Sequence, residues 1–259
     1  MHPILFSHGS LTIYSWGAML ALALVIISYF LYKKFLEEKI NPDHLFNLIL
    51  WCTIFGIVGG RLFYVFFYEW DYYSQHLLQI IWTEGGLSGL VWYGGFAGGL
   101  LAAGIYTWRQ QLSFWCLADL LAPYLALAYA IVRIGCFLNG CCYGDACTLP
   151  WAVSFPVVDD LNRHPTQIYS SFLNITIFMV LLYLYHRRKW NGEVFVSYMV
   201  MYSVYRFVVE FFRENLLGGT FLTIAQWISL GVFALGSFIL FYKNYQYQQD
   251  SKLFDKRLL

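Results

Sequence analysis

The chain has 259 residues, of which 59% are hydrophobic, 21% aromatic and 12% charged, and its formal net charge is +1. Soluble domains carry about 25% charged residues, so this is membrane composition, and no basic excess points to nucleic acid. In such a chain the position of each charge says more than the sum.

The opening MHPILFSHGSLTIYSWG lacks the basic start, short apolar core and small-residue cleavage site of a removable signal peptide, so the first apolar run is expected to be retained. Seven segments are long and apolar enough for spans of about 20 residues: 11–32, 45–68, 87–108, 114–132, 168–185, 194–212 and 221–242. They predict an all-α integral membrane protein of about seven transmembrane helices, a single polytopic domain over 1–259. The second span reads as interrupted at Gly59, Gly60 and Arg61, and the sixth carries Arg206 and Glu210. Both features are tolerated where they face protein or water. Segment 33–43 and the tail 243–259 read as cytoplasmic surface pieces, and no inverted repeat of the transporter kind is visible.

Orientation follows from the basic residues. Lys33, Lys34, Lys39, Arg109, Arg187, Arg188, Lys189, Lys243, Lys252, Lys256 and Arg257 all fall on one side of the seven-span scheme. The positive-inside rule then puts the N-terminus outside and the C-terminus in the cytoplasm. The other five of the 16 basic residues are Arg61, Arg133, Arg163, Arg206 and Arg213, and topology gives no reason for them. Arg213 can snorkel at a helix end and Arg61 can pair with Glu69. Five together predict a shared anion site, and lipid phosphate is the anion available at that depth.

The run 132–144, VRIGCFLNGCCYG, sets one arginine, one asparagine, three glycines and three cysteines in thirteen residues. An arginine in hydrocarbon costs about 2.5 kcal/mol or more, so Arg133 asks for a partner. Glycines in 85–104 stand at helix-packing spacing, which fits either close helix contact or backbone lining a ligand. Asp119 and Pro123 in span four read as a buried carboxylate, ion-paired to one of the arginines, and a kink. His164, in RHPTQIY (163–169), reads as a base or as a loop histidine held by hydrogen bonds. Arg206, Glu210 and Arg213 share one helical face. Cys136, Cys141, Cys142 and Cys147 match no metal spacing, and neighbouring cysteines are expected to diverge, so no metal site is expected; a Cys142–Cys147 disulfide stays open.

Together, PILFSHGSLTIYSWG, VGGRLFYVFFY, GGLSGLVWYGGFAGG, ADLLAP, VRIGCFLNGCCYG, RHPTQIY and YRFVVEFFRE followed by AQWISL resemble, in order, the prolipoprotein diacylglyceryl transferase family. The resemblance implies a multi-pass enzyme of the bacterial inner membrane. Such an enzyme moves the diacylglyceryl group of phosphatidylglycerol to the lipobox cysteine thiol of a prolipoprotein signal peptide and releases glycerol phosphate. The acceptor brings its own nucleophile, so the enzyme needs a cationic cradle rather than a catalytic serine or cysteine, and no cofactor is expected. By resemblance Arg133, Arg206, Glu210 and Tyr93 are the catalytic candidates. Arg61, Asn139, Gly140, Gly144, Arg163, His164 and Tyr14 are the substrate-binding ones.

The chain departs from the family pattern at five places. Tyr93 replaces a histidine, Cys136 an asparagine, Cys141 a glutamate and Ser170 a glutamate, and Trp16 stands where a tyrosine is usual, with Tyr14 close by. Glu210 and His164 are then the candidate bases. Two alternatives remain at this stage. One is a divergent relative that uses another lipid or thiol acceptor, or binds phospholipid without transfer. The other is a seven-span transporter or receptor, which leaves the arginines unexplained.

Overall fold

An N-terminal hairpin pairs β1 (Ile4–His8) with β2 (Leu11–Tyr14) in antiparallel register and leads into α1 (Ser15–Glu37). Then follow α2 (Asp43–Phe67), the single turn α3 (Trp70–Tyr73), a 3-10 turn (Leu77–Ile80), α4 (Trp92–Arg109) and α5 (Phe114–Asn139). Two short strands, β3 (Val153–Ser154) and β4 (Asn162–Arg163), precede α6 (Thr166–Tyr185), α7 (Glu193–Glu210) and α8 (Ile224–Leu258). This computed structural model describes residues 1–8, 11–80, 91–156, 158–213 and 222–258, without the side chains at 11, 77, 78, 92, 93 and 252–258. The described chain is therefore helical, with two small hairpins that the all-α expectation lacked.

Among the described residues, five helices are long and apolar enough to cross a membrane: Ser15–Glu37, Asp43–Phe67, Phe114–Asn139, Thr166–Tyr185 and Ile224–Ser251. Two of the seven expected spans, α4 and α7, reach 18 residues each but are not apolar enough to count with them. Five glycines and Arg109 dilute α4, and α7 carries Glu193, Arg206 and Glu210. Large apolar side chains face outward, with Phe172 70% exposed and Phe241 74% exposed. Water would penalise that surface, whereas lipid does not.

Residues 11–14 are strand rather than the start of a span, because β2 pairs with β1 and the Ser15 backbone N–H bonds the Pro3 carbonyl at 2.8 Å. The Ser15 hydroxyl also donates to the His2 carbonyl. Contacts group the chain into two compact units, 1–31 with 118–259, and 32–117.

In the second unit α2 runs unbroken through Gly59, Gly60 and Arg61, so the expected interruption is corrected to a helix seam. A Cβ added at Gly59 would stand 2.4 Å from the Gly94 carbonyl oxygen, and one at Gly98 2.1 Å from that of Phe55. Close helix contact is thus what Gly94 and Gly98 of α4 serve; 85–90 lie outside the described residues. Arg61 belongs to this unit. It donates to the Ile80 carbonyl at 2.9 Å, the Gln79 carbonyl at 3.0 Å and the Tyr73 hydroxyl at 3.1 Å.

In the first unit α5 is the most enclosed of the five long helices, with 44% of its apolar window buried. Asp119 on it does not pair with one of the five unexplained arginines. It accepts from the Gly192 N–H at 2.7 Å and the Phe195 N–H at 2.9 Å, and so caps the start of α7 from a neighbouring helix. Those donors lack intrahelical acceptors, and a buried carboxylate also suits the positive end of the helix. Pro123 lies inside α5, which continues past it to Asn139.

Candidate active site

The end of α5 builds the site. Tyr129, Arg133 and Cys136 follow at i, i+4 and i+7, one helical face. The helix stops by a reversal at Gly140, whose φ is 77°. The Gly140 N–H bonds the Phe137 carbonyl and the Cys141 N–H bonds the Cys136 carbonyl, each at 3.1 Å. This is the Schellman closure, and it needs a left-handed residue at that point. Asn139 is the last helical residue before it.

Past the turn three segments knit together. Gly144 N–H bonds the His164 carbonyl at 2.9 Å, Asp145 N–H bonds the Phe212 carbonyl at 3.0 Å, and His164 N–H bonds the Asp145 carbonyl at 3.0 Å. A Cβ at Gly144 would sit 2.1 Å from the Phe212 carbonyl oxygen. Gly144 therefore gives close approach between protein segments. The Thr166 hydroxyl and the Gln167 amide reach from the start of α6 to the Cys142 and Cys141 carbonyls, each at 2.7 Å.

The arginines of this unit have distinct settings. Arg133 donates to the Tyr129 hydroxyl and lies 4.7 Å from that ring's centroid, while Tyr205 donates to the same hydroxyl at 3.1 Å. Among the described residues no carboxylate pairs with Arg133. Arg206 forms an ion pair with Glu210, whose other oxygen accepts from the Thr223 hydroxyl at 3.1 Å. Arg163 bonds Asp159 at 2.6 Å, donates to the Gly144 carbonyl at 3.3 Å and lies over Tyr143. Arg213 pairs by backbone with Gly144. The Arg133 and Arg213 charges both act on the Cys142 sulfur, so they face one neighbourhood.

His164 is the loop histidine held by hydrogen bonds: its Nδ1 lies 3.2 Å from the Tyr169 hydroxyl, which also accepts from Trp151 Nε1 at 2.8 Å. Tyr14 is 57% exposed, opposite Ile4 in the hairpin. Tyr93 is in α4 by its backbone, and its side chain lies outside the described residues. Tyr129 and Tyr205, which present Arg133, were missed in the sequence, although the i,i+4 spacing of Tyr129 to Arg133 is a readable signal. Asp159 was missed at the same spacing from Arg163.

All six cysteines are free thiols, Cys142 and Cys147 included. The expectation that Cys141 and Cys142 diverge is corrected: Cys136, Cys141 and Cys142 bring their sulfurs within 4.8 Å of one another. The reason is the backbone, since Cys142 adopts φ 63° and folds the vicinal pair onto the helix end.

The chain is similar in sequence to known proteins. The prolipoprotein diacylglyceryl transferase family model matches residues 3–242. A phosphatidylglycerol–prolipoprotein diacylglyceryl transferase of Thermosynechococcus vestitus is 34% identical over 247 residues, covering 92% of this chain and 91% of its own length. Those of Finegoldia magna and Clostridium tetani are 33% and 35% identical, covering 97% and 92% of this chain and 100% and 96% of theirs. On that coverage, the chain belongs to the prolipoprotein diacylglyceryl transferase family.

Proposed function

We propose that this protein transfers the diacylglyceryl group of phosphatidylglycerol to the lipobox cysteine thiol of a prolipoprotein, the first step of lipoprotein maturation. The observation that carries the reading is Arg133: a guanidinium at the end of an apolar helix, presented by tyrosines and unpaired with any described carboxylate. A charge so placed is stabilised by an anionic ligand, and a phosphodiester supplies one. Relatives of known name over nearly the whole chain support the same chemistry.

In the reaction the acceptor thiolate attacks the glyceryl carbon bound to the phosphate oxygen. A C–S bond forms, the C–O bond breaks, and glycerol phosphate leaves with the electron pair. Arg133 and Arg206 neutralise the phosphate as its charge grows, which is where preorganised cations lower a barrier most. Glu210 is a positioning residue, because both of its oxygens are engaged by Arg206 and Thr223. His164 is the candidate group for taking the thiol proton. Asn139, Gly140, Gly144 and Arg163 shape and clamp the turn, and Tyr14 adds a contact for the lipid, while Arg61 ties the Gln79 and Ile80 carbonyls within its own unit.

The protein resides in the bacterial inner membrane as one polytopic domain of seven spans, with the N-terminus outside and α4 and α7 crossing among longer neighbours. The site at the end of α5 then faces the outer leaflet, where exported precursors carry their thiol. Expression in cells depleted of their own diacylglyceryl transferase tests the reading. Growth and restored lipoprotein modification are expected, and failure of both in cells that accumulate the protein contradicts it.

A further inference from the structure

Three thiols meet beside Arg133 with a geometry that thiol packing alone does not require. Cys136, Cys141 and Cys142 place their sulfurs within 4.8 Å of one another. Tetrahedral zinc with Zn–S bonds of about 2.3 Å sets its sulfurs about 3.8 Å apart, so a small inward shift completes a three-sulfur ligand set. The backbone is committed to this arrangement. Cys142 holds φ 63°, a left-handed conformation that non-glycine residues adopt at a cost, and such strain concentrates at ligand clamps. Thr166 and Gln167 fix the Cys142 and Cys141 carbonyls at 2.7 Å each. The Schellman turn at Gly140 brings Cys141 back over Cys136, whose carbonyl accepts its N–H. The ligands are thus held by helix end, turn and neighbouring helix, the support that a metal site needs.

We propose that Cys136, Cys141 and Cys142 form a zinc site of three thiolates, with its fourth position open to an incoming thiol. Three protein ligands with one open position is the arrangement of catalytic rather than structural zinc. The Arg133 charge acts on both the Cys136 and Cys142 sulfurs, so it offsets the excess negative charge of three thiolates and their ion. Cys136 follows Arg133 by one helical turn on α5, so the site and the proposed phosphate contact share that helix.

The role of the fourth ligand rests on the transferase reading above. The acceptor cysteine loses its proton to solvent as its sulfur binds zinc, since a coordinating thiol is deprotonated outright. Its sulfur then forms the C–S bond to the glyceryl carbon, the C–O bond breaks, and glycerol phosphate leaves with the electron pair. Zinc keeps its oxidation state throughout. The site would supply the thiolate in a chain that carries Tyr93 where the family has a histidine base.

The test is metal analysis of the full-length protein purified in detergent without chelators and under reducing conditions. About one zinc ion per chain is expected in the wild type. A tenfold loss or more is expected in Cys136→Ser and Cys142→Ser, with none in Cys116→Ser. Cobalt exchanged into the wild type should give a thiolate-to-metal charge-transfer band. That band should change when a lipobox peptide is added and stay unchanged with the peptide's cysteine replaced by serine. Wild-type protein that transfers diacylglyceryl yet holds no zinc overturns the site and leaves the transferase reading intact. Zinc kept by both serine variants, or a disulfide among the three cysteines in the active protein, also overturns it. Zinc bound with no transfer to the peptide overturns the transferase reading and the fourth-ligand role, and leaves the metal site.

Discussion

Arg133 and Arg206 sit in opposite electrostatic settings although both are partly buried in the same unit. Arg206 has Glu210 and is neutralised within the protein, whereas Arg133 donates to the Tyr129 phenol and pairs with no carboxylate among the described residues. Arg133→Ala should therefore lower kcat by about 10³-fold, the scale for losing one preorganised donor to developing charge. Glu210→Gln frees Arg206 without removing it, and a fall of about 10-fold to 100-fold is expected, as for other residues that orient a functional group. Unchanged turnover in the purified Glu210→Gln protein would show that the Arg206 position is set by other contacts. At Asp159, the hydrogen bonds from Arg163 hold the carboxyl below its usual range. A carboxyl lowered on folding contributes above its unfolded value of about 4, and the contribution disappears as pH falls through the lower folded value. The melting-temperature gap between wild type and Asp159→Asn should thus hold steady above about pH 5 and close at lower pH; a gap independent of pH would exclude the pair as its cause.

The end of α5 and the start of α7 show how little slack the elements have. Gly144→Ala places a methyl against the Phe212 carbonyl and the His164 and Thr166 side chains. A cost of about 3 kcal/mol or more is expected from such overpacking, read as a lower melting temperature and loss of folded protein. Asp119→Ala leaves one buried and one part-buried N–H group at the start of α7 without their acceptor, for a loss of about 1–3 kcal/mol. Asp119→Asn, which keeps an acceptor oxygen, should recover part of it. These elements also mark what the sequence can reveal. The apolar runs of α1, α2, α5, α6 and α8 are legible because lipid demands one kind of surface over a fixed length. The Asp119 cap is not legible, because its partners are 73 and 76 residues away. An isolated carboxylate looks like an ion-pair partner until α7 is placed beside it. The hairpin at 4–14 hides for another reason: its apolar strands merge with the helix that follows. Adjacent cysteines look divergent until the left-handed turn at Cys142 is known.

At the scale of the molecule, the exposed apolar side chains of α6 and α8 and the long apolar helices agree on a membrane setting. Reporter fusions at the two ends should place the N-terminus outside and the C-terminus in the cytoplasm, and the same compartment for both would require an even number of spans. The family was legible from collinear motifs, and Arg133 stood out in the sequence as a charge within an apolar run. Its tyrosine support was not, since it depends on α7 lying against α5. The most direct measurement is transfer by the purified protein of labelled diacylglyceryl from phosphatidylglycerol to a lipobox peptide, run beside Arg133→Ala. The account predicts label on the peptide cysteine with release of glycerol phosphate for the wild type, and neither for folded Arg133→Ala. A wild type that leaves the peptide unlabelled, or an Arg133→Ala protein that labels it at near wild-type rate, would contradict it.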